Sequence, residues 1–157
     1  MKTLTEINLL PLILLFFTTC SKKMEEQKFK SEYNYSINIP ENWAEYETDE
    51  KNTNAFFDTT KWTGNLRITP MNYIIENPTK FLLEKQNKIT SESFQWQNSK
   101  GVFFVEKPED EQIYYWFLIE SNKLYICSFT VGDLDEKNEI KKEILKVEKI
   151  LKTLKSQ

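Results

Sequence analysis

The most constraining feature of the sequence is the segment Gln112–Glu120, which is apolar on both faces of an extended strand. Successive side chains of a strand point to opposite sides of a sheet. One side would carry Tyr114, Trp116 and Leu118, and the other Ile113, Tyr115, Phe117 and Ile119. Such a strand needs a covering layer on each side. The turn Ser121-Asn122 then leads into Lys123–Val131, so we predict a hairpin whose first strand lies inside a sheet.

Two segments have the periodicity of helices that could cover this sheet. Asn77 and Pro78 supply a cap and a first residue for a helix that runs to about Lys88. Its predicted apolar side is Phe81, Leu82 and Leu83. A longer helix is predicted from about Leu134 to Lys155, capped by Asp133 or Asp135. Its apolar stripe, which predicts docking across the sheet, is Ile140, Ile144, Val147, Leu151 and Leu154.

The rest of the chain is rich in strand signals. Strands are predicted at 33–39, 44–48, 54–58, 65–71, 92–98 and 102–107, with a hairpin-like connection at 59–64. The chain holds 11 Phe, 7 Tyr and 4 Trp but only 3 Gly, a balance that favours packed layers over flexible linkers. At 157 residues it has room for one domain.

The absence of histidine excludes several classes of site. The chain has no His, which rules out Ser-His-Asp and Cys-His catalysis and zinc bound through imidazole. No Gly-rich phosphate loop, paired-cysteine motif or nucleophile elbow is present. The net charge of −3 gives no long-range attraction to nucleic acid. We therefore expect no enzyme activity, no cofactor, no metal site and no nucleic-acid partner.

The first twenty residues follow a pattern of their own. A short polar start containing Lys2 leads into an almost wholly apolar run at 7–17, and Thr18-Thr19-Cys20 then precedes a polar stretch. The apolar run is shorter than the roughly 20 residues that a membrane-spanning helix needs, and it is typical of a secretory signal. This order resembles a bacterial lipoprotein signal, of the looser form found in Bacteroidota.

The resemblance implies that residues 1–19 are a signal peptide and that Cys20 is lipidated, with palmitate among its acyl chains. It implies a charged tether at 20–31 and one domain at 32–157. It also implies a cell-envelope protein, anchored by its lipid to a bacterial membrane. The outer membrane is favoured, with the domain on the periplasmic side or at the surface.

A second resemblance concerns the domain itself. Ile39-Pro40-Glu41-Asn42-Trp43, followed by Phe56-Phe57 and Ile68, resembles the start of PsbP/Mog1-like domains, a group that includes the lipoprotein DcrB. This implies an α+β fold: an α/β/α sandwich with a central antiparallel sheet, a middle helix and a long C-terminal helix. Trp43 would pack at the corner after the strand. Members of this group are mostly noncatalytic binders and assembly factors.

The candidate functional residues are few. Trp62, in a loop, could contact a partner, and Arg67, the only Arg, could bind a carboxylate or phosphate; packing and a surface ion pair are the simpler interpretations. Asp58-Thr59-Thr60 resembles an O-glycosylation acceptor of Bacteroidota envelope proteins. Three further features favour ordinary structural roles over chemical ones. Cys127 is typical of a small buried hydrophobe more than of a catalytic thiol, and Glu109-Asp110-Glu111 of a solvated turn more than of a cation site. The pair Asp133/Asp135 is typical of a helix cap more than of a calcium loop.

These observations favour a noncatalytic cell-envelope lipoprotein that acts as a protein-binding or accessory module. Its partners would be the membrane, through the lipid, and a protein of unknown identity. A sharper alternative is a lipid-anchored immunity protein that neutralises a toxin. A less favoured alternative is a hydrolase that uses carboxylates alone, which would need two acids converging in a cleft.

Overall fold

The computed structural model describes residues 25–71, 77–88, 91–108 and 111–157, which form two antiparallel sheets and two helices. The small sheet consists of β1 (Glu26–Ser31), β2 (Tyr35–Pro40) and β10 (Lys155–Ser156), in the order β1-β2-β10. The large sheet consists of β3 (Trp43–Tyr46), β4 (Asn54–Asp58), β5 (Gly64–Pro70), β6 (Glu92–Gln95), β7 (Ser99–Glu106), β8 (Ile113–Glu120) and β9 (Lys123–Val131). Its order is β3-β4-β5-β9-β8-β7-β6, and the helices are α1 (Pro78–Lys88) and α2 (Lys137–Leu151).

The predicted central hairpin is present. Strand β8 pairs with β9 on one side and with β7 on the other, so it lies inside the large sheet. Ser121 and Asn122 both have positive φ, at 50° and 64°, as a tight hairpin turn requires. Trp116 is fully buried on one face, and Phe117 is 8% exposed on the other. The prediction that this strand has packing on both sides is confirmed.

The first face of the large sheet carries the main core. Helix α2 contributes Ile144, Val147 and Leu151, and β2 contributes Tyr35 and Ile37. They pack with Trp116, Leu118, Cys127 and Phe129 of the large sheet. The layer over this face is therefore a helix together with a small sheet. The resemblance implied one central antiparallel sheet, whereas β2 pairs with β1 and β10 in a separate small sheet.

Helix α1 covers part of the second face. Its start is as predicted, because the side chain of Asn77 accepts a hydrogen bond from the Lys80 amide at 2.9 Å. Leu82 is buried against Phe117 and Ile119. Leu83 was predicted on the same apolar side, but 54% of it is exposed. Successive helical residues are about 100° apart, so Leu82 and Leu83 do not share one narrow face.

The predicted C-terminal helix was too long at both ends. Helix α2 begins after Glu136, whose side chain makes no capping hydrogen bond, so neither Asp133 nor Asp135 is the cap. The helix ends at Leu151, and Lys155–Ser156 pairs with β2. Leu154 is 2% exposed and belongs to the core, although it lies beyond the helix. The helical spacing of Leu154 made the predicted helix too long, because the chain turns toward the core there without continuing the helix.

The predicted tether at 20–31 is also wrong over its second half. Glu26–Ser31 forms β1, in register with Tyr35–Pro40. Four of the six β1 side chains are exposed, which is why the segment has the composition of a tether. Phe29 reaches inward and stacks edge-on against Phe56, with ring centroids 4.9 Å apart.

The remaining strands agree with the sequence to within a few residues. Strands β4 and β9 have the predicted bounds, while β6 ends at Gln95 and β7 begins at Ser99. Two helices with two antiparallel sheets give the predicted α+β class. Trp43 is 1% exposed and part of the core, as predicted for the residue at the corner after β2.

Candidate binding surface on the second sheet face

The second face of the large sheet is covered over only part of its width. Along β8, Phe117 and Ile119 are buried beneath α1, whereas Tyr115 and Ile113 on the same face are half-buried. Along β9, Leu124 is buried and the later residues of that face are half-buried. Helix α1 packs on β7 and β8, so the strands farther from it have no helix over them in the described part of the chain.

We call this area the open half-face. Its members lie on one side of strands β3, β4, β5, β8 and β9 and are half-buried: Tyr46, Phe57, Arg67, Ile113, Tyr115, Ser128 and Thr130. Four of the seven carry rings or a branched apolar chain. An aromatic-rich area with polar groups interspersed has the composition of many protein-binding surfaces.

Cross-strand register arranges the open half-face in rows. Arg67 lies directly opposite Ser128 on β9, and Ser128 lies directly opposite Tyr115 on β8. Tyr115 in turn stacks on Phe104, with ring centroids 5.0 Å apart. Directly paired residues on one face are close enough for their side chains to interact. Arg67 and Tyr115 therefore belong to one continuous surface although 48 positions separate them in the sequence.

Arg67 is the charged centre of this surface. Its guanidinium Nη1 donates a hydrogen bond to Glu50 Oε1 in the loop between β3 and β4. Burial alone would lower the pKa of Arg67, but hydrogen bonding with Tyr46 and the charge of Glu50 raise the pKa above its usual value. The guanidinium thus stays charged. Its Nε is buried without a hydrogen-bond partner among the residues described, so only part of its donor capacity is used.

Trp62 stands at the border of the open half-face. Its ring centroid is 6.2 Å from that of Phe57, and 45% of the residue is exposed. Gly132 also lies close to the indole. A Cβ at position 132 would fall 2.7 Å from the indole Cδ1 and Nε1, so only glycine allows this approach. The loop is thus packed in a way that holds a large aromatic ring at the surface.

A family comparison covers every residue that the structure describes. The sequence matches the family described as "Domain of unknown function (DUF3805)" over residues 24–157. The chain belongs to the DUF3805 family. No curated protein sequence matches it. Family membership therefore establishes kinship for the DUF3805 domain without assigning an activity to it.

A solved structure from a bacterium resembles the DUF3805 domain in fold. A crystal structure from Bacteroides thetaiotaomicron VPI-5482, at 1.50 Å resolution, is 22% identical and has a TM-score of 0.65, covering 85% of this chain and 49% of that one. This chain thus spans about half the length of that relative. The solution structure of cyanobacterial PsbP from Synechocystis sp. PCC 6803 is 8% identical, with a TM-score of 0.42, covering 88% of this chain and 96% of that one.

The DUF3805 domain brings the two predicted contact residues to one surface. Trp62 and Arg67 both adjoin Phe57, Trp62 through its ring and Arg67 as a diagonal neighbour across β4 and β5. Three other members of the surface were not recognised from the sequence: Tyr46, Phe57 and Tyr115. Their alternation within predicted strands was visible, but only the strand register shows that they share a face with Arg67.

Several predicted features fall outside the residues that the structure describes. These are Cys20 with the whole segment before it, and Glu109 and Asp110 of the acidic turn. Within the described ranges, no helix has the length and apolar character needed to cross a membrane. The same ranges contain no group of three or more carboxylate or thiol side chains placed to hold a metal ion. Asp133 and Asp135 are exposed.

Cys127 lies in the core of the DUF3805 domain. It is fully buried on β9, directly opposite Trp116. Burial raises the pKa of the Cys127 thiol above its ordinary value. The thiolate is the reactive form of cysteine, so this environment disfavours nucleophilic chemistry.

Asp58 belongs to a buried network that joins α2 to β4. Lys146 Nζ lies 3.6 Å from Asp58 Oδ2 and 2.9 Å from Glu143 Oε2, and both carboxylates are almost wholly buried. Asp58 also accepts hydrogen bonds from the amide and hydroxyl of Thr60, at 2.9 Å and 2.6 Å. In the segment Asp58-Thr59-Thr60, which resembles a glycosylation acceptor, the Asp58 carboxylate is thus held by internal hydrogen bonds and an ion pair. Thr59 and Thr60 are exposed.

Proposed function

We propose that this chain is a noncatalytic cell-envelope lipoprotein whose DUF3805 domain binds another protein through the open half-face. The observation that carries the proposal is the grouping of exposed Trp62 with half-buried Phe57, Tyr46, Tyr115 and the charged Arg67 on one side of the sheet. Aromatic residues and arginine dominate the energetics of protein interfaces.

The chemistry of the surface defines the kind of partner. Rings and aliphatic side chains provide apolar area, and Trp62 and the Tyr hydroxyls can add hydrogen bonds at its rim. Arg67 is already paired with Glu50, so the surface carries little net charge. A suitable partner would present an apolar patch bordered by hydrogen-bond acceptors.

The proposed anchor rests on the N-terminal sequence. A basic start, an apolar run of signal-peptide length and Cys20 in a lipobox-like context support diacylation of that cysteine. Two or more acyl chains hold a protein firmly to a bilayer. Incorporation of labelled palmitate that disappears in Cys20→Ala would support the anchor, and labelling retained by Cys20→Ala would reject it.

We also propose that the domain is grouped with PsbP/Mog1-like folds as an α/β/α sandwich. Support comes from the order of its elements, with Pro40 ending β2, Trp43 buried after it, and helices α1 and α2 packed on opposite faces of the large sheet.

The binding proposal is tested by site-specific photocrosslinking in the native cells. A photoreactive phenylalanine analogue would replace Trp62 in one strain and Tyr115 in another, since both positions already hold aromatic rings. A third strain would carry it at Lys149, an exposed position on α2 away from the open half-face. Crosslinked species would be isolated through a C-terminal tag and identified by mass spectrometry.

We expect positions 62 and 115 to capture the same protein and position 149 to capture none of it. The variant Phe57→Ser should reduce the yield of that adduct, because it removes the ring on which Trp62 packs. Absence of an adduct at both surface positions, or equal capture at Lys149, would contradict binding through the open half-face.

A further inference from the structure

A groove lies on the first face of the large sheet, between α2 and strands β7 and β8. Its volume is about 440 Å³. The apolar part of its lining consists of Phe103, Tyr114, Ile140, Ile144 and Leu145. Small-molecule sites typically have volumes of about 300–1,000 Å³ and mostly apolar walls, with a few polar groups that fix the orientation of the ligand.

The groove exposes apolar surface that the fold does not use. Leu145 is 50% exposed on its wall, and Val105, directly opposite Tyr114 across β7 and β8, is 38% exposed beside it. These are two of the four large hydrophobic residues that are exposed in the described part of the chain. Their clustering beside one concavity favours a bound apolar group over chance exposure.

One end of the groove is positively charged. Lys137 and Lys141 lie one helical turn apart on α2, and Lys107 follows the end of β7; all three line the groove and are exposed. The N-terminus of α2 is at the same end, and its macrodipole adds partial positive charge. Gln112 also lines this end and donates a hydrogen bond to the Tyr114 hydroxyl at 2.6 Å.

Among the described residues, Glu148 is the one acidic side chain that lines the groove. Glu148 lines the opposite end, where Lys152 pairs with it at 3.7 Å. Glu139 pairs with Lys61 at 3.6 Å and does not line the groove. Glu111 is exposed before β8 and is not part of the lining. The groove therefore has an apolar body and one cationic end.

We propose that this groove binds an amphipathic carboxylate: a single unbranched hydrocarbon tail that ends in one carboxyl group. The tail would lie on Phe103, Ile144 and Leu145, and the carboxylate would bind between Lys107, Lys137 and Lys141. The volume suits one small molecule, and the lysines complement its charge. The site is on the other face of the sheet from the open half-face and does not depend on the proposed protein binding.

The test is calorimetric titration of the full chain carrying Cys20→Ser with sodium laurate below its micellar concentration. Dodecyltrimethylammonium, which has the same tail length and the opposite charge, is the matched ligand. The charge variant is Lys137→Gln/Lys141→Gln. Its matched control, Lys142→Gln/Lys149→Gln, removes two exposed lysines of the same helix that do not line the groove. Leu145→Ser tests the apolar wall.

Laurate should bind saturably, with one molecule per chain, and the ammonium ligand should bind more weakly. The charge variant should weaken laurate binding roughly fivefold to tenfold, as expected for the loss of two exposed ion pairs, while the control variant leaves it unchanged. Leu145→Ser should weaken the binding of both ligands. Binding that is absent, indifferent to ligand charge, or equal in the charge and control variants would overturn the proposal.

Discussion

Thr63 donates a hydrogen bond to Glu143 at 2.9 Å, joining the connection between β4 and β5 to a helix 80 positions later in the chain. Glu143 also forms an ion pair with Lys146, and only 6% of Glu143 is exposed. Substituting Glu143 by Ala would leave the Lys146 charge without this partner and the Thr63 hydroxyl without an acceptor. We expect the free energy of unfolding to fall by about 2–4 kcal/mol. Urea denaturation would measure it.

The control for this substitution is Glu139→Ala on the same helix. Glu139 pairs with Lys61, but both side chains are about half exposed, at 48% and 56%. Exposed pairs contribute about 0–1 kcal/mol, so this variant should unfold close to the wild type. Equal losses in the free energy of unfolding of the two variants would mean that the buried network does not stabilise the packing of α2.

Asp58 should make stability depend on pH in the acidic range. Burial alone would raise the pKa of Asp58, but hydrogen bonds from Thr60 and the charge of Lys146 lower the pKa below its ordinary value. A carboxyl group with a lowered folded-state pKa stabilises the protein above its unfolded-state value of about 3.9. That contribution is lost as the pH falls through the folded-state pKa.

The expected result is a stability gap between the wild type and Asp58→Asn that is largest near neutrality and closes below pH 4. Urea midpoints at several pH values between 7 and 2.5 would measure this gap. Asp135→Asn, at an exposed position, should show no such trend. A gap that stays constant down to pH 2.5 would show that the charge of Asp58 does not stabilise the fold.

Leu82 and Leu83 are adjacent residues with opposite environments. Leu82, on the side of α1 that packs on the large sheet, is 6% exposed, and Leu83 is 54% exposed. Leu82→Ala should cost about 2–4 kcal/mol, because it leaves a cavity over Phe117 and Ile119. Leu83→Ala should stay within about 0.5 kcal/mol of the wild type. Thermal unfolding of the pair would show whether α1 is docked through the face that the structure assigns.

Gly132 should not tolerate a side chain. A Cβ there would lie 2.8 Å from the Gly64 amide nitrogen as well as 2.7 Å from the Trp62 indole. Gly132→Ala should therefore destabilise the protein by about 1–3 kcal/mol and move the Trp62 ring. Thermal unfolding would measure the loss, and photocrosslinking at position 62 would report the displacement. An alanine variant as stable as the wild type would show that this contact is looser than described.

Cys127 should be unreactive until the core opens. In a chain carrying Cys20→Ser it is the only thiol, since the sequence has two cysteines. We expect no reaction with a thiol reagent such as DTNB at pH 8 in the native state, and complete reaction in urea, because the thiol is fully buried and its pKa is raised. Rapid labelling of the native protein would indicate a local opening of β9.

The sequence was most informative where one local pattern decided the structure. The two apolar faces of Gln112–Glu120 required an interior strand, and Asn77-Pro78 marked the start of α1. The predictions from sequence were wrong where tertiary packing, and not the local pattern, decides the structure. Leu154 continues the spacing of the helix but is buried by a turn, and Glu26–Ser31 has tether-like composition because it is an edge strand.

The open half-face shows a second limit. Arg67 and Tyr115 lie in one row only because β9 comes between β5 and β8 in the sheet. Alternation in a sequence shows which residues of one strand share a face, but it does not show which strands are neighbours. The sequence could therefore single out Trp62 and Arg67 individually, while the surface that unites them depends on the order of the strands.

If Cys20 carries a lipid, the early start of β1 limits how far the domain can stand from a membrane. With a lipid on Cys20, the linker between the lipidated cysteine and Glu26 would be residues 21–25. Fully extended, these span at most about 18 Å. The start of β1 would then stay within about 18 Å of the lipidated cysteine. The exposed Lys28 and Lys30 of β1 would lie near the lipid headgroups. Partners would have to be membrane proteins themselves or come down to the bilayer surface to reach the small sheet.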